Sequence, residues 1–390
     1  MKKVFDDLHG YVSLDDVEVR ILDHPLLQRL RRIKQTSLAF MVYPGAVNTR
    51  FSHTIGTVYL TSKLGEILED KGFVTNDEIR KLRLAALLHD IGQFPFSHSL
   101  GGFFMSKNFS NSDFGDMLIS LTDIKDILSE GGYPYKEIKD ILWGGSSLRG
   151  VIDSDVDVDR MDYLLRDSKY SGVQLGSIDL QRLMDNVNYE DGKIRIHEKG
   201  LYSAENFFIA RLHMYQAVYY HKTIVGYELL VRKIYSDMIE ECEVPGTPGE
   251  LREIVQGNGI FMWDDEWVYS RLYNCYLTTT NDTLREKIWN FINRRGPKMI
   301  YDEPYPQTGK NIHDILEKLE SSNIPKDSIY PIEEDISIID KKRISFIRKT
   351  GDESTIDEMG FLLKSVPARL SINRVYVDAI FAPKAREIIP

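Results

Sequence analysis

The sequence predicts a mostly α-helical protein with a small α+β region at its C-terminal end. Apolar residues recur at helical spacing through much of the first 243 residues, as between Ile79 and Leu87. Beyond Tyr330 the pattern changes to short alternating runs rich in β-branched residues, such as "DISIIDKKRISFIRK" and "INRVYVDAIFA". Runs of this kind favour strands, so a helical body with a mixed tail is the predicted fold class.

The first helices are predicted from capping and breaking residues. A helix over about 14–35 carries Pro25 in a first turn, and its basic residues are expected on a solvated face: Arg29, Arg31, Arg32 and Lys34. After a loop around Pro44 and Gly45, a second helix starts near Arg50 or His53 and runs to about Asp70. A third helix is capped by Asn76 or Asp77 and is ended by Gly92 and Pro95.

Later helices are predicted over 158–170 and 203–241, and the second of these is apolar nearly all round and therefore buried. The Pro- and Gly-rich stretch 244–250 reads as a linker. Four segments follow: an N-terminal turn and helical segment packing on the core (1–48), the helical core (49–243), a helical extension (244–330) and a small α+β domain (331–390).

Composition narrows the class of protein. The chain has 390 residues, of which 42% are hydrophobic, so it can bury a large core. It shows neither an N-terminal apolar signal nor a run of about 18 apolar residues, so we expect a cytoplasmic protein without a membrane partner. The net charge of −10 argues against strong nucleic-acid binding, although it leaves room for a local basic pocket. Two cysteines, Cys242 and Cys275, are expected to be reduced and structural.

The stretch "LLHDIGQFPFSH" carries the chemistry of interest. His89 and Asp90 stand at the end of a predicted helix, and His53 and Asp159 lie near the starts of two others. Imidazole and carboxylate together suit a divalent metal that activates water. A second His-Asp pair, His313-Asp314, has no further histidine near it and is expected to be a solvated helix start capped by Asn311.

The predicted helix that begins near Asp159 offers a polar face. Helical offsets place Tyr163, Arg166, Asp167 and Tyr170 on the same side as Asp159. Two interpretations remain open from spacing alone. The face lines a functional site, or it is a solvated side on which Asp162 and Arg166 form a surface ion pair.

Several separated motifs now stand in a recognisable order: "HGYVSL", "HPLLQRLRRIKQ", "YPGAVNTRFSHTIG", "LLHDIGQFPFSH", "DVDRMDYLLRDSKYSGV" and "YYHK". Over about Leu8 to Lys222 the chain closely resembles the HD-domain metal-dependent phosphohydrolases, and within them the deoxynucleoside triphosphate triphosphohydrolase branch. The resemblance implies a helical HD-domain core and one divalent metal ion (Mn, Fe, Mg, Ni or Zn). It also implies assembly into a homo-oligomer, a dimer or a tetramer.

Residue roles come from the same resemblance. It implies four metal ligands: His53, His89, Asp90 and Asp159. Arg50 and Arg211 match positions that hold phosphates, and Arg160 stands where the family usually has a lysine near the phosphates. Contacts to the sugar are implied for Gln35, Tyr163 and Asp167. Contacts to the sugar or base are implied for Tyr219 and His221.

The sequence departs from its family next to the metal. Gln93 stands where the active enzymes usually have a histidine beside the attacked phosphate, and Gln93 is expected to contact substrate by hydrogen bonding only. The family's later His-Glu pair is replaced by Ser112 and Asp113, with no histidine between His98 and His197. Together with Asp90, His98 and Asp113 are the remaining candidates for catalytic groups.

The resemblance predicts hydrolysis of a deoxynucleoside triphosphate (dNTP) to deoxynucleoside and tripolyphosphate. In this interpretation Asp90 and the metal generate hydroxide, while Arg50, Arg160 and Arg211 neutralise the triphosphate. Two alternatives remain open because of Gln93. The site acts on other nucleotides or phosphate esters, or the protein is a nucleotide-binding regulator that has lost turnover.

Overall fold

The fold is built mainly from helices, and a computed structural model describes it over residues 2–190, 193–303, 312–359 and 361–389. The helices of the first half of the chain are α1 (Asp16–Asp23), α2 (Pro25–Arg29), α3 (Arg50–Asp70), α4 (Asn76–Leu88), α5 (His98–Met105), α6 (Asn111–Leu121), α7 (Ile124–Glu130), α8 (Tyr135–Leu142), α9 (Arg149–Ile152) and α10 (Val158–Ser171). Those of the second half are α11 (Leu180–Asn186), α12 (Leu201–Met214), α13 (Lys222–Glu241), α14 (Pro248–Gln256), α15 (Asp265–Thr278), α16 (Asp282–Ile292), α17 (Ile312–Ser321), α18 (Ile356–Met359), α19 (Phe361–Ser365) and α20 (Ala382–Ile388).

The strands form three small sheets. They are β1 (Lys2–Asp6), β2 (Gly10–Leu14), β3 (Val187–Glu190), β4 (Lys193–His197), β5 (Lys298–Asp302), β6 (Ile329–Ser337), β7 (Ile344–Ile347), β8 (Glu353–Thr355) and β9 (Arg369–Val377). Strands β1 and β2 make an antiparallel hairpin, and the other two sheets have the orders β3-β4-β7-β8 and β5-β9-β6. The β6 and β9 strands pair antiparallel along nine residues of each. A mostly α protein with an α+β tail is therefore confirmed.

Helix α3 runs through the centre of the core. Thr49 caps it by accepting a hydrogen bond from the Ser52 amide, and the helix is buried on most sides. It packs against α4 and α10. Because His53 lies near the start of α3, His89 ends α4 and Asp159 begins α10, this packing brings the three ends together.

The N-terminal helix is interrupted, contrary to the prediction of one helix over about 14–35. His24 is extended, with φ −65° and ψ 137°, and it ends α1 and caps α2. The cause is Pro25, because a proline disfavours helical conformation in the residue before it. Pro25 occupies the first turn of α2 as expected, and a short 3-10 turn then leads to the extended Ile33.

Arg29 was expected on a solvated face, and that prediction is wrong. Its guanidinium is fully buried and donates to the carbonyl oxygens of Trp263, Ile91 and Gln93 at 2.8 to 2.9 Å. The three carbonyls belong to separate segments. Arg29 therefore ties α2 to the loop after α4 and to the segment before α15.

Several other boundaries can be compared with the sequence. Thr75, with Glu78, forms the capping box of α4, so the cap lies one residue before the predicted pair. The predicted helix over 203–241 is divided by a π-helical turn at Tyr215–Tyr219. The 244–250 linker already contains the first residues of α14. His313 and Asp314 do start α17, but the predicted cap Asn311 lies outside the described residues.

The tail does not stand apart from the helical body. One hydrophobic cluster contains core residues such as Leu60 and Leu87 together with Ile332 and Leu370 of the tail strands. Strand β5, from the stretch predicted as a helical extension, pairs with β9. The domain boundaries remain predictions, but the tail shares the main hydrophobic core.

Two further expectations can be compared with the fold. Cys242 and Cys275 are joined by a disulfide, so the prediction of reduced thiols is wrong for this structure. Composition could not show that the end of α13 meets α15. Across the described part of the chain, every helix is either too short or too polar to cross a membrane.

Candidate functional site

A metal-binding cluster lies where α3, α4 and α10 meet. One ligand atom each from His53, His89 and Asp90 falls within 4.8 Å of the others. The two Nε2 atoms of the histidines are 3.2 Å apart, and Oδ1 of Asp159 is 2.9 Å from Nε2 of His53 and 3.8 Å from Nε2 of His89. The four residues named from the sequence thus converge on one point.

The electrostatics of this cluster suit a cation. Burial opposes charge on Asp90, but Arg50, His89 and His53 hold the pKa of its carboxyl well below the usual range, so it is ionised. Burial also opposes charge on His53, yet hydrogen bonds to Asp159 and Asp162 raise its pKa to about 10. A place that stabilises a proton so strongly also stabilises a metal ion, and two imidazoles with carboxylates are a donor set used by divalent metals.

His53 is oriented from behind by Asp162. Nδ1 of His53 lies 2.8 Å from Oδ2 of Asp162, and this leaves Nε2 directed to the cluster. Arg166 donates to both oxygens of Asp162 at 2.8 and 3.0 Å, and Nε2 of His9 lies 2.7 Å from Oδ1. Asp162 and Arg166 have no solvent exposure, so the alternative of a surface ion pair is wrong.

Gly56 makes room for this buried pair. A Cβ at position 56 would lie 2.0 Å from Oδ1 of Asp162 and 2.3 Å from Nη2 of Arg166. Only glycine fits this close approach of α10 to α3. Sequence reasoning missed the role of Asp162, although its place three residues after Asp159 puts both on neighbouring positions of one helix.

Asp90 is also held from the cavity side. Nη1 of Arg50 donates to Oδ2 of Asp90 at 3.0 Å, and Nε2 of Gln93 donates to Oδ1 at 2.8 Å. Asn111 in turn donates to Oε1 of Gln93 at 3.2 Å. Gln93 therefore positions Asp90 while facing the cavity.

A cavity of about 590 Å³ opens beside the cluster. This volume is in the range of small-molecule sites and suits a nucleotide. Ten of the residues named from the sequence line it: Gln35, Arg50, Asp90, Gln93, His98, Asp159, Arg160, Tyr163, Asp167 and Tyr219. The cavity joins the metal cluster to a region of tyrosines and further carboxylates.

Three of the named residues have other places. Asp113 accepts hydrogen bonds from the amide and hydroxyl of Ser110 and so caps α6. Arg211 is buried, with Asp155 at 3.4 Å and the Ser337 carbonyl at 2.9 Å. His221 caps α13. None of these three is among the described residues that line the cavity.

His98 enters the cavity from a strained loop. Phe96 and Ser97 have φ of 52° and 44°, which is rare for residues with side chains, and Phe96 is held there by donating its amide to Asp265 at 2.7 Å. Ser97 accepts from Nε of Arg50 at 3.1 Å. His98 itself is exposed to solvent, but partial loss of hydration beside the cavity wall and the nearby charge of Arg50 lower the pKa of its imidazole, which is neutral at neutral pH.

The tyrosine end of the cavity contains a buried carboxylate. Asp167 accepts from Asn48 at 2.9 Å and from the Tyr219 hydroxyl at 3.0 Å, and burial raises its pKa to about 6. The rings of Tyr163 and Tyr219 meet edge to face at 5.9 Å. Here the two residues present an apolar surface beside an acceptor.

Some residues that line the cavity were not found by sequence reasoning. They are Thr36, Tyr215, Tyr220, Glu228, Arg232, Ile332, Glu334 and Ile336, with several residues of α5 and the loop after it. Tyr220 follows Tyr219 in the motif "YYHK", so the sequence did offer a signal for it. Glu228 and Arg232 belong to a helix that reads as apolar, and Glu334 lies on the tail strand β6, so their convergence is visible only in three dimensions.

Comparison with known proteins defines the class. The HD domain family matches residues 50–167, and an HD associated region matches residues 178–274. The MG461 homologue of Mycoplasma pneumoniae, an uncharacterised protein, is 30% identical over 333 residues, which is 75% of this chain and 78% of that protein. The chain belongs to the HD-domain family, and the predicted resemblance is confirmed.

Within this family the chain is similar to deoxynucleoside triphosphate triphosphohydrolases. The SAMHD1 homologue of Dictyostelium discoideum, which bears that name, is 30% identical over 279 residues, or 65% of this chain and 52% of the relative. The chain spans about half the length of several curated relatives that it matches. A crystal structure of a phosphohydrolase from Bacteroides thetaiotaomicron superposes with a TM-score of 0.79 at 27% identity, covering 96% of this chain and 99% of that one.

Proposed function

We propose that this HD-domain protein is a metal-dependent nucleotide phosphohydrolase that converts a dNTP to deoxynucleoside and tripolyphosphate. The observation that carries the proposal is the continuity of the cavity. Arg50, which donates to the proposed metal ligand Asp90, and Arg160, which follows Asp159 in the sequence, line the same cavity as Tyr163, Asp167 and Tyr219. One cavity therefore offers guanidinium groups for charged phosphates, and aromatic rings and a carboxylate for a sugar and a base.

The ligands for the metal are His53, His89, Asp90 and Asp159. A bound divalent ion would lower the pKa of a water molecule and polarise a phosphate oxygen. Asp90 is fixed for this role by Arg50 and Gln93, which each donate to one of its oxygens. We propose one divalent ion, which is Mn, Fe, Mg, Ni or Zn. Metal analysis of the purified protein identifies which of these it is.

The phosphates would be bound by arginines. Arg160 is anchored by Asp157, and its buried Nε has no acceptor among the described residues. Arg50 keeps one guanidinium nitrogen beyond those that contact Asp90 and Ser97. Both therefore retain donors for an anionic ligand, and guanidinium suits phosphate because of its fork of N–H groups.

The sugar would lie on the tyrosine side. Tyr163 offers a ring face against the ribose, and Asp167 can accept a hydrogen bond from a sugar hydroxyl. A ring packed under the ribose leaves little room for an extra 2′-hydroxyl, which favours deoxynucleotides. Gln35 also lines this cavity, and its buried Oε1 has no donor among the described residues.

His98 is the best-placed proton carrier. It faces the cavity and is neutral at neutral pH, so it can accept a proton from the attacking water and return it to the 5′ oxygen that leaves the α-phosphate. The bond from the α-phosphorus to that oxygen breaks as the bond to the water oxygen forms. Asp113 caps α6 instead, so we assign it no step.

The test is product analysis. Purified protein loaded with Mn²⁺ is incubated with each of the four dNTPs, and deoxynucleoside and tripolyphosphate are measured. His89→Ala should abolish product formation, whereas His313→Ala, which changes the other His-Asp pair, should leave it unchanged. Absence of deoxynucleoside from all four dNTPs over hours would exclude the proposed reaction.

A second candidate has a specific observation in its favour. Arg211 is held by Asp155 and Ser337 away from the cavity, so fewer cations are available for a long triphosphate than the resemblance implied. An HD phosphohydrolase of nucleoside mono- or diphosphates, or of another phosphate ester, needs fewer. A panel of phosphate esters separates the two, because the first reaction releases tripolyphosphate, whereas the second releases phosphate from a monoester or pyrophosphate from a nucleoside diphosphate.

Two further properties remain predictions. Tight nucleotide binding in calorimetry without any turnover would instead select a regulator. Assembly into a homo-oligomer is expected from the family resemblance, and sedimentation of the purified protein measures the number of subunits.

A further inference from the structure

The cavity has a second polar group that the phosphate and sugar contacts do not use. Glu228 of α13 and Glu334 of β6 line it, with Arg232 and Tyr220 beside them. The Tyr220 hydroxyl donates to Oε2 of Glu334 at 2.8 Å, and Oε1 has no donor among the described residues. Burial and the neighbouring Glu334 raise the pKa of Glu228 to about 7, opposed by Arg232.

These carboxylates are unsuited to phosphate, because like charges repel. Among the described residues their hydrogen-bond partners are Ser37, Ser99 and Tyr220, none of which belongs to the metal cluster. Thr36, which also lines the cavity, is only 6% exposed. Its buried Oγ1 has no hydrogen-bond partner among the described residues. A buried polar atom left unpaired in a cavity wall indicates a ligand that satisfies it.

Arg232 is held with its guanidinium beside the two carboxylates. Its Nε donates to the Ser99 carbonyl at 2.9 Å, and its Nη2 lies 3.4 Å from the His98 carbonyl. Nη1 remains available to a ligand. This part of the cavity thus presents carboxylate acceptors and a guanidinium donor side by side.

We infer that Glu334, assisted by Glu228 and Arg232, reads the base of the nucleotide by accepting hydrogen bonds from its exocyclic amino group. This inference rests on the proposed function and adds a substrate preference to it. Cytosine, adenine and guanine carry such a group, and thymine and uracil carry a carbonyl oxygen there. A carboxylate oxygen facing that carbonyl oxygen would place two acceptors opposite each other with no proton between them, which is unfavourable for these half-buried groups.

Among the four bases, guanine can form the most hydrogen bonds with these carboxylates and with Arg232. Its N1–H and 2-amino N–H are adjacent donors that match the two oxygens of one carboxylate, and its O6 and N7 are acceptors suited to arginine. We expect the order guanine first, then cytosine and adenine, with thymine last. A site built to bind a polar group rejects analogues that lack it far more strongly than an apolar pocket does.

The experiment compares nucleotides that differ at the tested group. The pairs are dCTP with dUTP, which differ at position 4 of the ring, and dGTP with dITP, which differ only in the 2-amino group. In the Mn²⁺-loaded protein, kcat/KM should be roughly tenfold or more higher for the amino-bearing member of each pair. Glu334→Gln should reduce both ratios toward one, and Glu228→Gln should reduce them in part.

The matched control is Glu333→Gln. Glu333 precedes Glu334 on β6 and is exposed, because successive side chains of a strand point to opposite faces. This variant should keep both ratios and the rate of the unchanged protein. Equal kcat/KM within each pair, or ratios that Glu334→Gln leaves unaltered, would overturn the inference while the triphosphohydrolase reaction stands.

If no dNTP is hydrolysed, the proposed base contact is tested by measuring nucleotide affinity instead. Calorimetry then compares dCMP with dUMP and dGMP with dIMP on the same four proteins. Loss of turnover with a tenfold preference for the amino-bearing nucleotides, abolished by Glu334→Gln, would contradict the proposed reaction and support the base contact. Equal affinities within each pair would contradict the base contact.

Discussion

Nδ1 of His53 lies 2.8 Å from Oδ2 of Asp162, inside the protein and without solvent exposure of either side chain. Asp162 accepts two further hydrogen bonds from Arg166, and these hold its carboxylate in one orientation relative to the His53 ring. This relationship sets which nitrogen of His53 faces the metal cluster. It therefore determines the affinity of a ligand set in which Asp162 takes no direct part.

Asp162→Asn should weaken metal binding by roughly 10- to 100-fold, because the uncharged amide holds the His53 ring less firmly. Titration of the apoprotein with Mn²⁺ measures this. Asp282→Asn is the matched control, since Asp282 is paired with Arg285 on an exposed helix. An unchanged affinity in Asp162→Asn would show that His53 is oriented by other contacts.

Gly56→Ala should lower stability by roughly 1 to 3 kcal/mol or more, because the new methyl group overlaps Asp162 and Arg166 and forces α10 from α3. Thermal or urea unfolding measures the change, and the metal affinity should fall with it. Gly249→Ala provides the control. Its Cβ would meet only the Thr247 hydroxyl, at 3.8 Å, so stability should be equal or slightly higher.

Gln93→His should raise kcat if proton transfer limits the reaction, by up to about 10²-fold, because a histidine beside Asp90 can carry a proton and glutamine cannot. Steady-state kinetics with the best dNTP measures it. Gln93→Ala separates this gain from positioning, and it should lower kcat since Asp90 loses one donor. A kcat for Gln93→His no higher than that of Gln93→Ala would show that a histidine at position 93 adds no proton transfer.

Asp265 should make stability decrease as pH rises through the mildly acidic range. Burial raises its pKa from 3.8 to about 6, so the folded protein holds the proton more tightly than the unfolded chain does. Its contribution is fully present below pH 3.8 and is lost as pH rises to about 6. Urea unfolding between pH 4 and pH 7 on the protein and on Asp265→Asn tests this. Parallel pH profiles for the two would be the contrary result.

Reduction of the Cys242–Cys275 disulfide should lower stability by about 3 to 4 kcal/mol, the loop entropy expected for a bridge between residues 33 apart. Unfolding with and without reductant measures the difference. The double variant Cys242→Ser with Cys275→Ser should be insensitive to reductant. Titration of two free thiols in the native protein would instead show that the cysteines remain reduced.

Much of the site could be predicted because its residues lie at helix ends, where local patterns are strong. His53, His89, Asp90 and Asp159 each stand within a turn of a helix terminus, and the family motifs fixed their grouping. For Asp162 the sequence left open whether it forms a surface ion pair, because helical spacing alone does not tell which face of α10 is buried. Arg29 was misplaced for the same reason.

Other parts depend on contacts between distant segments. Glu334 lies 106 residues after Glu228 in the sequence, and the two meet only because β6 packs on the helical body. The disulfide likewise joins the end of α13 to α15. The spacing of apolar residues along the sequence does not predict such pairs, because it indicates only which residues share a face of one helix or strand.

Strand β6 brings the tail into the wall of the cavity. Ile332, Glu334 and Ile336 alternate toward the cavity, so a chain cut at residue 330 would keep all four metal ligands and lose part of the cavity wall. The proposed metal ligands and the proposed base contact thus lie in separate stretches of the sequence. We therefore expect changes in the tail strand to alter nucleotide preference while the proposed metal ligands stay the same.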